Sequence, residues 1–160
     1  MVIPKWILLC IYESFYIYKR WRGKIQGVSD SEKRKQRIDM CETKTLDYYN
    51  KNARSFAEAT MDVDFYDTQK YFQNLLPEQG YILDFGCGSG RDIKYFLSQH
   101  FQVDAIDGSE ELCRIASDYT GIKVKKMLFK ELEEIEKYDG IWARSSILHL
   151  PKRELKAVFE

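Results

Sequence analysis

One stretch of the sequence, from Tyr81 to Asp92, restricts the possible folds of this chain more than any other. It opens with five residues suited to a buried strand, passes through three glycines spaced two apart, and leads into a segment whose apolar residues, Ile93, Phe96 and Leu97, recur at helical spacing. Glycines at such a junction allow a tight turn and let a ligand approach the backbone, while the first amides of the helix attract negatively charged groups. The stretch therefore predicts a site for a nucleotide-type ligand.

The spacing of the glycines narrows the kind of ligand. A dinucleotide-binding loop of the form G-x-G-x-x-G would need its third glycine at position 91, where the chain has Arg91, and no P-loop lysine follows. The chain instead reads Asp84-x-Gly86-x-Gly88-x-Gly90. This run resembles the first motif of the class I S-adenosylmethionine-dependent methyltransferases, which is an acid followed by glycines at the same spacing. The resemblance covers about residues 45 to 160.

Four predicted strands alternate with helices in this part of the chain: residues 81–85, 102–106, 122–127 and 138–143. Strands that alternate with helices form a parallel sheet with right-handed crossovers, and the ligand crevice lies at the carboxyl ends of the strands. We therefore predict an α/β fold. It is a Rossmann-like doubly wound parallel sheet with strand order 3-2-1-4, as the resemblance to class I methyltransferases implies.

Helices are predicted ahead of the first strand. A capping-box pattern predicts a helix over residues 33–40. A second helix would be capped by Thr43 or Thr45 and would carry Tyr49 on its apolar face, and a third would run over residues 65–76. The N-terminal part of the chain is thus expected to be largely helical.

The chain is expected to divide into residues 1–42, an N-terminal extension that is helical or partly disordered, and residues 43–160, the N-terminal part of a methyltransferase domain. In the family that the chain resembles, three more strands follow the fourth, whereas this sequence stops at Glu160, so we expect an incomplete, C-terminally truncated domain. The fourth strand would then be an apolar sheet edge on which side chains such as Ile141 and Trp142 lack cover. Self-association through this strand would supply that cover.

Charge and cysteine content bear on partners and location. The net charge is zero, yet residues 1–40 hold nine Lys and Arg against four Asp and Glu. The apolar run over residues 6–12 is shorter than the roughly 20 residues of a membrane span. Residues 1–24 would at most lie on a membrane surface, and an extra helix or a poorly ordered extension is the alternative. The four cysteines form no C-x-x-C pair, which indicates neither a zinc site nor a disulfide framework and favours a cytoplasmic protein.

Asp107 follows the second predicted strand, in the segment Asp107-Gly108-Ser109. An acid at this tip lies beside the glycine loop in a doubly wound fold, where its carboxylate can accept hydrogen bonds from both ribose hydroxyls. The alternative is that Asp107 only caps the helix for which Ser109 is a good N-cap. We adopt the ribose role, and Asp104, which lies within the strand, is the weaker candidate.

The resemblance implies a site for S-adenosyl-L-methionine. The glycine loop would hold its methionine and ribose portions, and Asp84 its amino group. Because no acid stands at the tip of the third strand, Leu128 and Phe129 would cover the adenine by apolar packing and backbone contacts. Tyr49 would contact the cofactor from the preceding helix or, alternatively, belong to the core. The predicted site contains no metal and comprises Asp84, Gly86, Cys87, Gly88, Gly90, Arg91, Asp107, Gly108, Ser109, Leu128, Phe129, Ser145 and Tyr49.

The segment after the fourth strand reads Ser-Ile-Leu-His-Leu-Pro and, with Tyr-Asp-Gly ahead of that strand, resembles small-molecule methyltransferases of the tellurite-resistance and ubiquinone-biosynthesis types. His149 in this segment would act as a general base or, alternatively, have a structural role. The Asp-Pro-Pro-Tyr-type signature of nucleic-acid methylation is absent, so no nucleic-acid partner is expected. We predict a methyltransferase for a small-molecule acceptor that the sequence does not identify. The alternatives are a non-catalytic fragment or interaction module that at most binds the cofactor and, third, a nicotinamide oxidoreductase.

Overall fold

The computed structural model describes the backbone of residues 30–150 and the side chains of residues 43–150. The predictions for residues 1–24, and for the segment that follows residue 150, lie outside the described residues. Four helices and four strands follow one another as α1 (Asp30–Thr60), α2 (Tyr66–Gln73), β1 (Tyr81–Phe85), α3 (Arg91–Ser98), β2 (Gln102–Asp107), α4 (Glu110–Thr120), β3 (Lys125–Lys126) and β4 (Gly140–Trp142). Short 3-10 turns lie at Phe129–Glu131 and Ile147–His149.

The strands form one parallel sheet in the order β3-β2-β1-β4, so the predicted fold class and strand order are confirmed. Residues 81–85 of β1 pair with residues 102–106 of β2, and Asp84 lies opposite Trp142 of β4. Ile82 packs against α2 and α3, whereas Leu83 and Phe85 face the other side of the sheet and pack against the segments after β3 and β4, so all three are fully buried. The carboxyl end of β1 opens directly into the glycine loop.

β3 is much shorter than the predicted strand over residues 122–127. The backbone amides ahead of it are bound to side chains of the last turns of α4 instead of to β2. The Ile122 amide donates to Thr120 Oγ1 at 3.4 Å, and the Val124 amide donates to Ser117 Oγ at 2.9 Å. Ladder pairing with β2 therefore begins only at Lys125.

α1 is one continuous helix of 31 residues, whereas the sequence predicted two helices separated near residue 42. Threonines are possible N-caps, but no glycine or proline interrupts residues 30–60, so nothing forces the helix to stop between them. The helix passes across residue 42, where the chain was predicted to divide. The division into two parts stays a prediction. The buried side of α1 presents Ala53 and Ala57, and the helix packs against α4.

The burial of Trp142 on β4 also differs from the prediction. It was predicted to lack cover at the sheet edge, yet it is only 1% exposed. Its ring packs edge-on against Phe72 of α2 at 5.0 Å and Phe96 of α3 at 5.3 Å. The cover comes from α2, a helix that precedes β1 in the chain, and Ile141 is itself half-buried. Self-association through β4 remains a prediction.

Candidate functional site

The glycine loop joins β1 to α3 and is tied to the tip of β2. The amides of Gly86 and Cys87 both donate to the carbonyl oxygen of Ile106, at 2.9 and 3.0 Å, and the Gly90 amide donates back to the carbonyl of Cys87 at 3.0 Å. Gly86, Gly88 and Gly90 all have positive φ, between 56° and 87°, a backbone region that side chains disfavour. The predicted turn is therefore present at the carboxyl edge of the sheet.

Side chains from α1 and from the segment after β3 lie close to this loop. A Cβ atom added to Gly88 would lie 3.3 Å from the ring of Phe56, and one added to Gly108 would lie 2.6 Å from Leu46 and 3.3 Å from Leu128. A side chain at either position would require Phe56 or Leu46 to shift. The helix α1 therefore borders the loop, as the predicted position of Tyr49 requires.

Asp107, at the end of β2, is bound between the glycine loop and the start of α4. Its Oδ2 accepts a hydrogen bond from the Gly88 amide at 2.9 Å, and its Oδ1 accepts one from the Ser109 amide at 2.8 Å. Burial raises the pKa of this carboxyl, although hydrogen bonds from the backbone of Ser109, Gly88 and Gly108 act to lower it. Each carboxylate oxygen can accept a further bond, so the group retains capacity for two ligand hydroxyls.

The alternative role for Asp107, capping α4, is taken by another residue. Ser109 is the N-cap, and its Oγ accepts the Leu112 amide at 3.2 Å. The predicted cap at Ser109 is confirmed, and Gly121 is the C-cap at the other end of α4. Asp104 is also accounted for, because its Oδ2 accepts from Lys137 Nζ at 2.7 Å and from the hydroxyl of Tyr138 at 2.9 Å.

Asp84, two residues ahead of the first glycine, is 2% exposed, and its Oδ2 has no hydrogen-bond partner. Burial raises the pKa of this carboxyl well above its ordinary value. The negative charges of Asp92 and Asp107 raise it further, while Arg91 lowers it. A buried acceptor without a donor is unusual in a folded protein, and it suits a ligand that brings a donor of its own.

Arg91 and Asp92, at the start of α3, form a partly buried network. Arg91 Nε and one terminal nitrogen donate to the two oxygens of Asp92 at 2.9 and 2.7 Å, and a second donates to the Thr60 carbonyl at 3.2 Å. Asp92 also accepts from Gln69 Nε2 at 2.6 Å and from Trp142 Nε1 at 3.0 Å. The guanidinium of Arg91 is thus bound to protein groups, and its predicted role at the cofactor stays a prediction.

Tyr49 of α1 and His149, after β4, meet although they lie 100 residues apart. The hydroxyl of Tyr49 lies 3.2 Å from His149 Nε2, and the rings are edge-on at 5.6 Å. Burial and the charge of Asp107 raise the pKa of Tyr49, and partial burial lowers the pKa of His149 below its ordinary value. The structure therefore brings together Tyr49 and His149, two of the predicted site residues. Tyr49 also lies close enough to Asp107, a third predicted site residue, to feel its charge.

Asn50 is a site residue that the sequence analysis missed. Its Oδ1 accepts a hydrogen bond from Ser109 Oγ at 2.7 Å and a longer one from the Glu111 amide at 3.4 Å. It therefore links α1 to the same turn that carries Asp107. The sequence contains little signal for this role. Asn50 follows Tyr49 on the same helix, and the pattern of apolar residues does not show how that helix is rotated about its axis.

The predicted adenine-covering residues follow β3. The ring of Phe129 stacks on that of Phe85 at 4.3 Å, and the Leu128 amide donates to the carboxylate of Glu131 at 2.7 Å. The amide of Leu128 is therefore bound within its own turn. At the end of β4, Ser145 is exposed with a φ of 56°, and the neighbouring Ser146 is buried and donates to the Phe85 carbonyl.

The remaining predicted residues lie in the same region. Cys87 is buried in the loop, and burial raises the pKa of its thiol well above its ordinary value. Gly108 separates Asp107 from Ser109. All the predicted site residues except Tyr49 and His149 therefore lie at or just beyond the carboxyl ends of β1, β2, β3 and β4, and Tyr49 and His149 pack beside that edge. A parallel α/β sheet with its polar groups collected at this edge defines a protein of the nucleotide-binding, Rossmann-like class.

Part of the chain matches a known protein family. Residues 82–160 match the model of the family described as a methyltransferase domain. The match covers 79 of the 160 residues and agrees with the resemblance to methyltransferases that the glycine run predicted. No curated protein sequence matches the chain.

Three solved structures share the fold. A TehB-like S-adenosylmethionine-dependent methyltransferase from Corynebacterium glutamicum is 22% identical, with a TM-score of 0.52 over 69% of this chain and 60% of its own. Magnesium protoporphyrin IX methyltransferase from Synechocystis, solved with S-adenosylmethionine bound, is 19% identical, with a TM-score of 0.56 over 74% and 68%. DesVI from Streptomyces venezuelae is 16% identical, with a TM-score of 0.50 over 75% and 49%. This chain therefore spans 60% of the first of these structures, and at such identities the likeness is one of fold.

Within the described residues, no helix is long and apolar enough to cross a membrane. The predicted cytoplasmic location and the predicted membrane-surface contact of residues 1–24 stay predictions.

Proposed function

We propose that this protein binds S-adenosyl-L-methionine at the glycine loop and transfers its methyl group to a small-molecule acceptor. The observation that carries the proposal is the carboxylate of Asp107, which is fixed by the amides of Gly88 and Ser109 and still has accepting capacity on both oxygens. A ribose offers two neighbouring hydroxyl donors, which match that arrangement. The match of residues 82–160 to the methyltransferase-domain model supports the same ligand.

The other parts of the ligand would meet groups of matching chemistry. The unpartnered Oδ2 of Asp84 would accept a hydrogen bond from the ammonium group of the methionine portion. The backbone of the glycine loop would pack against the same portion, because glycine leaves room at Gly88. Leu128 and Phe129 would cover the adenine through apolar contact. The amide of Leu128 could bind adenine only after release from Glu131.

Bound S-adenosyl-L-methionine supplies a methyl group on a positively charged sulfur that is already a strong electrophile. The protein then needs mainly to hold an acceptor in line with that methyl group and to exclude water. Tyr49, Phe56 and Phe129 would contribute the apolar walls, since their rings lie against the loop or against one another. No protein nucleophile is required.

His149 would take the proton that the acceptor loses. Its lowered pKa keeps the imidazole neutral near neutral pH, and the hydroxyl of Tyr49 at 3.2 Å fixes the orientation of its ring. Where Nε2–H donates to that hydroxyl, Nδ1 holds the lone pair that accepts the proton. The acceptor is therefore expected to be a small molecule with an ionisable hydroxyl or amino group. Magnesium protoporphyrin IX methyltransferase, which has the same fold, is named for a small-molecule acceptor and supports an acceptor of that class.

A nicotinamide dinucleotide is the less favoured ligand. Arg91 stands where the third glycine of a dinucleotide loop would be, and its guanidinium is held there by Asp92 and the Thr60 carbonyl. A non-catalytic fragment that only binds the cofactor is the second alternative, since this chain spans 60% of the length of the first solved relative.

Titration of the purified chain with S-adenosylhomocysteine tests the proposal. We expect binding in the micromolar range, and we expect excess NADH not to displace the ligand. If a folded protein does not bind S-adenosylhomocysteine, or if NADH competes for it, the proposal fails. Binding without transfer of a labelled methyl group to any of a panel of phenols, carboxylates and amines would favour the non-catalytic alternative.

A further inference from the structure

Asp84 lies in an environment that disfavours a negative charge. It sits in the middle of the sheet, on β1 between β2 and β4, with 2% of its surface exposed. Its Oδ2 has no donor within hydrogen-bonding distance. An ionised carboxylate buried without partners is costly, and such groups usually take up a proton instead.

The charged groups around Asp84 act in the same direction. Among the described residues, Asp92 on α3 and Asp107 on β2 both repel a negative charge at this position, and Arg91 is the one cation that opposes them. Arg91 does not pair with Asp84, because its donors bind both oxygens of Asp92 and the Thr60 carbonyl. The two other carboxylates are themselves satisfied, Asp92 by side chains and Asp107 by backbone amides.

We propose that Asp84 carries a proton in the ligand-free protein and releases it when the ammonium group of the ligand reaches its buried oxygen. This inference rests on the proposed function. The ammonium group brings both the hydrogen-bond donor and the positive charge that the empty site lacks, so the ionised form of Asp84 becomes the stable one. Binding of the amino-acid portion is then coupled to the loss of one proton from the protein to solvent.

The coupling gives the site a pH-dependent preference. Ligands with an ammonium group must displace the proton, so their affinity rises with pH, by up to about tenfold per pH unit, until Asp84 is ionised without them. The affinity of ligands that lack the ammonium group should not depend on pH through Asp84. S-adenosylhomocysteine and 5′-methylthioadenosine form such a pair, because the second lacks the amino-acid portion and keeps the adenosine.

Calorimetric titrations in two buffers with different ionisation enthalpies measure the protons released. They are made at about pH 6, where the amino group of S-adenosylhomocysteine is already protonated. We expect up to about one proton released per S-adenosylhomocysteine bound, and none per 5′-methylthioadenosine. The Asp84→Asn variant should bind 5′-methylthioadenosine as the unmodified protein does, and should bind S-adenosylhomocysteine more weakly and without proton release.

The outcomes separate this inference from the proposed function. Binding of S-adenosylhomocysteine without proton release, or equal release with both ligands, would overturn the inference and leave the proposed function standing. Persistence of the release in Asp84→Asn would overturn it as well. No binding of either ligand by the unmodified protein would overturn both. The comparison of the two ligands needs no variant, so the test holds even if Asp84→Asn does not fold.

Discussion

Three carboxylates lie near the glycine loop, and each is balanced in a different way. Asp92 is paired with Arg91 and two neutral donors, Asp107 is held by backbone amides, and Asp84 has an oxygen without a partner. Only Asp84 leaves a buried polar atom without a hydrogen-bond partner, which lowers the stability of the folded protein. The same feature that suits Asp84 to a ligand should therefore weaken the protein without one.

We expect Asp84→Asn to stabilise the ligand-free protein more at high pH than at low pH. The pKa of Asp84 is raised in the folded protein, so its contribution to stability is complete below the ordinary pKa of an aspartate and declines as pH rises towards the folded value. The variant has no such decline. Its free energy of unfolding relative to the unmodified protein should increase by about 1 to 3 kcal/mol between acidic and alkaline buffers.

Urea unfolding at about pH 6 and about pH 9 measures this difference. Asp104→Asn is the matched control, because Asp104 is paired with Lys137 and Tyr138 and the pKa of its carboxyl is lowered: hydrogen bonds from Lys137, Tyr81 and Tyr138 outweigh its burial. That variant should lose stability instead. If the difference in free energy of unfolding between Asp84→Asn and the unmodified protein is the same at both pH values, Asp84 is not uncharged in the folded protein.

His149→Asn should slow methyl transfer by about 100-fold, within the range of general-base catalysis, and should leave the affinity for S-adenosylhomocysteine nearly unchanged. The measurement is the rate with a labelled methyl donor once an acceptor is found, together with a titration. Leu148→Ala, at a 51% exposed neighbouring position, is the control. Equal loss of rate in both variants would indicate a packing role for this segment instead of proton transfer.

At the residue level, the acids and glycines were predictable and their partners were not. Asp84, Asp107 and the glycines are fixed by chain spacing, because a strand that ends in a loop brings these residues to the sheet edge. Asn50 and Gln69 reach the site from helices. The sequence shows which residues share a helix face but not how that face is rotated against the sheet.

α1 is the element that the sequence described least well and that contributes most to the surroundings of the site. It supplies Tyr49, Asn50 and Phe56, which contact His149, Ser109 and the glycine loop respectively. Asn50 makes the polar contact between α1 and the turn that holds Asp107. The position of the helix over the loop should therefore depend on this side chain.

Asn50→Ala is expected to destabilise the protein by about 1 kcal/mol, the net value of a typical hydrogen bond. It should also weaken binding of S-adenosylhomocysteine, because the Ser109 turn loses its support. Asn52→Ala is the control, since Asn52 donates only to the Tyr48 carbonyl within the same helix. Chemical denaturation and ligand titration of the two variants make the comparison. Equal effects on ligand affinity would show that Asn50 does not position the turn.

The short β3 shows why strand limits were harder to predict than strand order. Residues 122–124 have the composition of a strand, but Ser117 and Thr120 on α4 take their amides. Competition of this kind between side chains and a β-ladder depends on where a helix ends in space. Strand order follows instead from the alternation of strands and helices, which is visible in the sequence.

For the whole molecule, fold class, strand order and the edge that carries the site were all accessible from sequence, because each follows from the order of elements along the chain. The way in which helices cover the sheet was not accessible from the sequence. Trp142 is buried by α2, a helix that comes before β1 and whose placement no local pattern specifies. Solved relatives share this architecture over 69% to 75% of the chain.

The central claim is that the site at the carboxyl edge of the sheet binds S-adenosyl-L-methionine through Asp107. Calorimetric titration of S-adenosylhomocysteine into the unmodified protein, Asp107→Asn and Asp104→Asn tests it most directly. Asp107→Asn should weaken binding by about 10- to 100-fold, the value of about one hydrogen bond to a charged group, while Asp104→Asn should bind as the unmodified protein does. Equal affinities for all three proteins would contradict the claim and would direct attention to the groove of about 530 Å³ between α1 and α4.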